Sequence, residues 1–448
     1  MHLGWIWDKS ENWKSKGRAM KSPWRVVLLV LLGLHVWPEA VYSQGLEVGA
    51  SEVDITPLEA VPMWGYGDRH AALSEGTLDP LKATVVVIRA GRRKMAIVGL
   101  DLGRSPQEES LQAIRSEIKA QAGIDVSFIS GSHTHHGPIL ELFDAPGRGR
   151  GRFDAAIRYN RQLEKSLIEA IVLASQRMVP AKIGQGAKEL EGFNRNRHTK
   201  LRPAPLDTRL GILRFDALDS GKNIATIVNF TGHPTNISSD VRKFSADYVG
   251  AMREVVSEQT GGIVVFKQGA SGDISVDRGA HGDYLGYGAA LGREVLKVYQ
   301  EIECKVVDAP TLRFKEERFT YSSRTDFTNP LVQGVYSMAF FPELVENFVA
   351  EYQDGIRPRL TVAVLNKEIA FVGGSGEFFC NHAIRLRERA RMESCFFFGY
   401  CNGYHQYFPT IEATAEGGYG ADAQVAPAQI GAGEDLMNQA LRWLYQIR

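Results

Sequence analysis

The chain holds only four cysteines in 448 residues (Cys304, Cys380, Cys395 and Cys401), and their spacings match no zinc-finger pattern. A chain of this length buries a large core unaided, so a disulfide framework is not needed for stability. If a bridge forms, Cys395 and Cys401 are the expected pair by proximity, in a structural role. Net charge is missing as well, because 52 Lys and Arg balance 52 Asp and Glu. No long basic run is present, which argues against nucleic acid as a partner. Internal repeats with a period of roughly 20–50 residues and low-complexity tracts are also absent.

Long apolar runs are equally scarce. The one near the N-terminus, residues 26–37, is too short to span a bilayer comfortably. Lys21 and Arg25 stand before or at its edge, and Val41-Tyr42-Ser43 follows with small residues suited to cleavage. The expectation is a signal peptide over residues 1–43, with Met20 as an alternative start. One large domain over residues 44–448 would follow, secreted or periplasmic, in a compartment that permits disulfides.

What remains has the composition of a globular protein, 44% apolar and 23% charged. Apolar runs of β type alternate with helical periodicity, which predicts an α/β fold with a mixed sheet core surrounded by helices. Residues 83–89 and 94–100 read as a hairpin. Ser105-Pro106 with Glu108 reads as a capping box opening a helix whose Leu111, Ile114 and Ile118 share one face. Further helices are expected over 159–178, 246–259 and 284–302 and from about Glu377. Residues 360–365 and 369–372 form a second expected hairpin.

Several of these strands run into polar, glycine-bearing loops, where open α/β folds carry their sites. The densest is Ser132-His133-Thr134-His135-His136-Gly137-Pro138, after the apolar run 126–130. Neutral imidazole is the commonest protein ligand for zinc, and His133 and His135 share a side if the chain is extended there. A second strand delivers His233. Others lead to Gly272-Asp273-Ile274-Ser275, to Gly376-Glu377 and to Asn402-Gly403-Tyr404-His405-Gln406-Tyr407. Singly each loop is an ordinary turn; together they place polar groups along one sheet edge, with a metal or catalytic role.

In that order the loops, with Val48-Gly49-Ala50, Asp54-Ile55-Thr56, Asn194-Arg195 and Tyr419, resemble the neutral/alkaline non-lysosomal ceramidase family over nearly all of residues 46–431. The resemblance implies a zinc ion held by His133, His233, Glu377 and Tyr407. It implies His135 as proton carrier, Arg195 and Tyr419 as contacts to the polar group of the substrate, and Ser275 as a residue of the catalytic centre. The implied activity is hydrolysis of an amide in a ceramide-like lipid by zinc-activated water. A small-molecule or lipid partner and transient contact with a membrane surface go with it. Four places depart from the family pattern: His136, Ser375, Phe408-Pro409 and Val276-Asp277. The family's C-terminal immunoglobulin-like domain has no counterpart in the sequence. A carbohydrate-active zinc enzyme of the same fold is the alternative, and a non-catalytic binding domain a third reading. Apolar residues around the pocket would favour the lipid, whereas Arg, Lys and Asn there would favour the carbohydrate.

Overall fold

Strand-forming runs pair much as their alternation predicts. The computed structural model describes residues 45–448, and the signal peptide expected over 1–43 lies outside the described residues. The first third gives β1 (Glu47–Asp54), β2 (Lys82–Ala90), β3 (Arg93–Leu100) and β4 (Val126–Gly131). The chain continues through β5 (Val179–Glu189), the short β6 (Asn194–Asn196), β7 (Arg209–Ala217), β8 (Asn223–Phe230), β9 (Ile263–Gln268) and the short β10 (Ile274–Val276). The last third adds β11 (Leu312–Arg318), β12 (Arg359–Leu365), β13 (Ile369–Gly374), β14 (Glu377–Phe378), β15 (Ser394–Phe398) and β16 (Tyr407–Phe408).

These strands build an eight-stranded sheet in the order β4-β3-β2-β1-β5-β7-β8-β9 and a four-stranded sheet β11-β12-β13-β15. Most pairs are antiparallel, but β3/β4, β8/β9 and β13/β15 are parallel. The large sheet curls until β9 meets β3 and β4. Lys267 of β9 donates to the carbonyls of Val98 and Phe128 at 2.8 and 3.1 Å. β2 and β3 are apolar on both faces because both are covered. Val86, Ile88 and Ile97 pack toward Phe371, Phe396 and Phe398 of the second sheet, while Val85, Val87 and Val98 pack under helices.

Those covering helices are α1 (Glu108–Ala122) and α2 (Asp154–Gln176). α3 (Tyr248–Thr260) and α4 (Tyr284–Glu301) cover β7 to β9 through Met252, Val256, Leu291 and Val295. α5 (Pro330–Tyr336) and α6 (Pro342–Tyr352) form a helical pair that the sequence reading did not anticipate. α7 (Cys380–Ala390), α8 (Ile411–Glu416) and α9 (Ala432–Ile447) complete the chain. Among the described residues no helix is long and apolar enough to cross a membrane.

Three expectations need correction. The capping box does not form: α1 starts at Glu108 after Gln107, with no side-chain cap, and Ser105 is fully buried. Glu108 bonds Arg359 at 2.6 Å instead of turning back to Ser105. The helix expected from Glu377 starts at Cys380, because Glu377 and Phe378 pair in parallel with Tyr407 and Phe408. Cys395 and Cys401 are not bridged, and all four cysteines are free thiols. Cys395 sits near the start of β15, which carries the chain away at about 3.3 Å per residue before Cys401 is reached.

Candidate metal centre and substrate pocket

The three parallel pairs of the two large sheets all open toward one place. β4 leads to His133, β8 to His233, β9 to the Gly269–Ser275 loop, β13 to Glu377 and β15 to residues 399–407. Gln268, fully buried at the end of β9, ties these exits together. Its amide donates to the carbonyls of Ser132 and Gly232 at 3.0 and 2.8 Å, fixing the residues just before both histidines.

His133 Nε2 and His233 Nε2 stand 3.0 Å apart, and Glu377 Oε2 lies 3.4 and 3.3 Å from them. All three side chains are buried. The Nδ1 of His133 faces the Gly103 carbonyl at 2.8 Å, and that of His233 faces the Ile274 carbonyl at 3.2 Å. A carbonyl only accepts, so each Nδ1 carries the proton and both Nε2 atoms present lone pairs to one another. Facing lone pairs repel unless a cation lies between them. Donors about 2.0–2.2 Å from one tetrahedral zinc stand roughly 3.3–3.6 Å apart, close to the spacing here. The donor set therefore fits a zinc ion. His135 completes a histidine group whose ligand atoms lie within 4.8 Å of one another.

Charge agrees with this geometry. Burial, with Arg197 and His133 nearby, pushes the His233 imidazole down to about 3, so it is neutral at pH 7. Burial acts to raise Glu377, but His133 and His233 outweigh it and hold the carboxyl well below its ordinary range. His135 is also held neutral, by burial first and then by the other two histidines. Neither of its ring nitrogens has a hydrogen-bond partner, and the ring lines the cavity. Gly65 permits this placement: with φ at +105°, a Cβ there would come within 2.5 Å of His135 Cγ. His133 itself sits at φ 72°, and Tyr400, Asn402 and Gln406 are also left-handed. Such non-glycine residues cost about 1–3 kcal/mol each and cluster where function demands a fixed geometry.

The other expected residues divide. Tyr407 is buried, and its hydroxyl accepts from Arg197 Nη2 at 3.1 Å and donates to Tyr419 at 3.4 Å. Burial and the Glu377 charge raise its phenol, so it stays protonated. Tyr419 is 68% exposed at the cavity mouth. Arg195 is not brought in. It is exposed on β6, paired with Ser275 of β10, and neither residue lines the cavity. Arg197, two residues on, is the arginine that reaches the centre, with His233 Nε2 at 2.9 Å and the Gly272 carbonyl at 2.9 Å. His136 turns away and bonds Arg69 at 2.7 Å, and Ser375 accepts from the Arg359 amide. Asp273 accepts from the Cys380 and Asn196 nitrogens and holds its loop. Trp64, Arg197, Gln268, Tyr400 and Tyr404 were not assigned roles from the sequence. The only signal for Arg197 was its place in the same basic, polar loop as Arg195, two residues on.

The cavity above the cluster has a volume of about 120 Å³. Its lining includes Met63, Ile139, Ala339, Phe340, Leu344, Phe348 and Val425, and no Lys, Arg or Asn among the described residues. The α5–α6 turn and α6 form much of this apolar wall.

No family model and no curated protein sequence matches the chain. Solved structures do. A neutral ceramidase from Pseudomonas aeruginosa superposes with a TM-score of 0.70 at 18% identity, over 89% of this chain and 74% of that one. A structure described as ceramidase complexed with C2 gives 0.71 at 17% identity, over 89% and 75%. The chain therefore has the neutral-ceramidase fold.

Proposed function

We propose that the chain is a secreted zinc-dependent hydrolase cleaving the amide of an N-acyl lipid, with ceramide-like molecules as the substrate class. The observation that carries this reading is a cavity with an apolar wall that ends on His133, His135 and Glu377, with His233 Nε2 3.0 Å behind His133 Nε2. An acyl chain gains from the Met63, Ile139, Phe340, Leu344 and Phe348 wall, whereas a polysaccharide would leave hydroxyls without partners along that side of the cavity. The fold shared with solved ceramidases supports the same class.

His133, His233 and Glu377 would hold the ion, with Tyr407 beside them as a weaker fourth candidate. When bound, zinc supplies Lewis acidity for the scissile carbonyl and lowers the pKa of water. The protein does the rest. Neutral His135, with both nitrogens unpartnered, is suited to take the proton from the attacking water and return it to the leaving amine. The Tyr407 and Tyr419 hydroxyls line the cavity as candidate donors to the oxygen that becomes anionic, and Arg197 brings positive charge up behind Tyr407. Ser275 stands outside the cavity lining, its backbone paired with Arg195 and with His233, and acts by holding its loop. A screen with an N-acyl sphingosine and a polysaccharide panel, with and without chelator, tests the reading. Chelator-sensitive release of fatty acid from the first alone supports it; turnover of a polysaccharide only would overturn it.

A further inference from the structure

Glu377 offers its two oxygens to different partners. Oε2 faces the histidine nitrogens, and Oε1 accepts from the Tyr404 hydroxyl at 2.5 Å. The Tyr400 hydroxyl reaches Oε2 more loosely, at 3.4 Å, and is itself engaged by Ser271 at 2.7 Å. The Tyr404 bond is short and charge-assisted, the stronger kind of hydrogen bond. Its donor is fixed on every side. The phenol ring lies against Trp64, with centroids 5.7 Å apart, and stacks near Tyr400. The Arg104 guanidinium sits 5.0 Å over the ring, fully buried and paired to Glu141 at 2.9 Å. A cation over a phenol draws electron density from it, which makes the hydroxyl a better donor.

From this geometry the structure assigns Tyr404 as the positioning residue of the metal centre. It occupies Glu377 Oε1, so that Glu377 presents a single oxygen beside the two imidazoles, and Arg104 strengthens that bond from behind. A carboxylate left free to rotate would present either oxygen, or both, and take up positions that a catalytic centre needs open. Outer partners of this kind change metal affinity without touching the metal. The inference rests on the zinc reading above and concerns a residue for which that reading has no role.

The test is zinc affinity of the full chain, by competition with a chromophoric chelator, in wild type and Tyr404→Phe. The variant keeps the ring, the Trp64 contact and the Arg104 contact and loses only the hydroxyl. Zinc binding should weaken roughly ten- to a hundredfold. The visible absorption of the cobalt-substituted variant should shift, because the carboxylate changes its mode of binding. Turnover at saturating zinc should fall in kcat more than in KM. An unchanged zinc affinity with an unchanged cobalt spectrum would overturn the assignment. Absence of stoichiometric zinc in the wild type would instead sink the zinc reading itself, so the two failures are separable. Tyr400→Phe, acting on the looser bond, should move zinc affinity less; a larger effect there would transfer the role to Tyr400.

Discussion

At the scale of single residues, the site depends on protonation states that burial enforces. His135 is neutral, lines the cavity and has no competing hydrogen bond, whereas Ser275, paired with Arg195, is not part of the cavity lining. His135→Ala should therefore keep its zinc and lose turnover by about a hundredfold or more, the usual scale of a lost general base. Ser275→Ala should keep both, and mass spectrometry of the chain quenched in turnover should find no acyl group on Ser275. Most of this centre was legible from sequence, because His133, His233 and Glu377 each follow an apolar strand and stand within two residues of a glycine. What could not be read was direction. Arg195 stands on β6 and Arg197 just past its end, a difference of two residues, and His136 differs only in which way its ring turns. Both are settled by partners distant in sequence, Tyr407 for Arg197 and Arg69 for His136.

Among the elements, α6 carries two separate consequences. Leu344 and Phe348 face the cavity, so Phe348→Ala should raise KM for long N-acyl substrates and barely affect short ones. Comparing kcat/KM over a series of acyl lengths checks this. The same helix carries the half-buried Glu351, whose carboxyl is pushed up to about 7 by its partial burial, against Arg104, with Glu141 adding to the rise. Its ordinary value is near 4.5, so between those pH values the folded chain holds a proton that the unfolded chain has lost. Stability from this group is thus full below about 4.5 and falls as pH rises toward 7. Glu351→Gln should match wild type near pH 4.5 and exceed it by about 1–3 kcal/mol at pH 8, since each unit is worth about 1.4 kcal/mol. Thermal melts at the two pH values provide the comparison. α5 and α6 escaped the sequence reading although each begins with Pro at its first turn. The capping box at Ser105 failed for the opposite reason: a good local signal lost to tertiary contacts, with Ser105 drawn into the core and Glu108 taken by Arg359.

For the molecule as a whole, the α/β class, both hairpins and the convergence of strand ends were legible, because continuous apolar runs flanked by helices demand a sheet covered on both faces. The curl of the large sheet was not, since it depends on β9 meeting β3 and β4 across more than a hundred residues. One buried ion pair clamps that arrangement: Arg253 of α3 grips Asp101, at the end of β3, through two bonds of 2.9 and 2.6 Å. Asp101→Ala leaves a buried guanidinium uncompensated and should cost about 3–5 kcal/mol in chemical denaturation. Its zinc content should be unaffected in the folded fraction.

The central claim is that His133, His233 and Glu377 hold the zinc with which this chain hydrolyses an N-acyl lipid. Fatty-acid release from an N-acyl sphingosine by chelator-stripped chain, before and after zinc is restored, tests it most directly when His233→Ala is run alongside. The account predicts no release from either stripped protein, recovery with one equivalent of zinc in wild type, and none in the variant. Release that survives stripping, or that returns equally in His233→Ala, would contradict it.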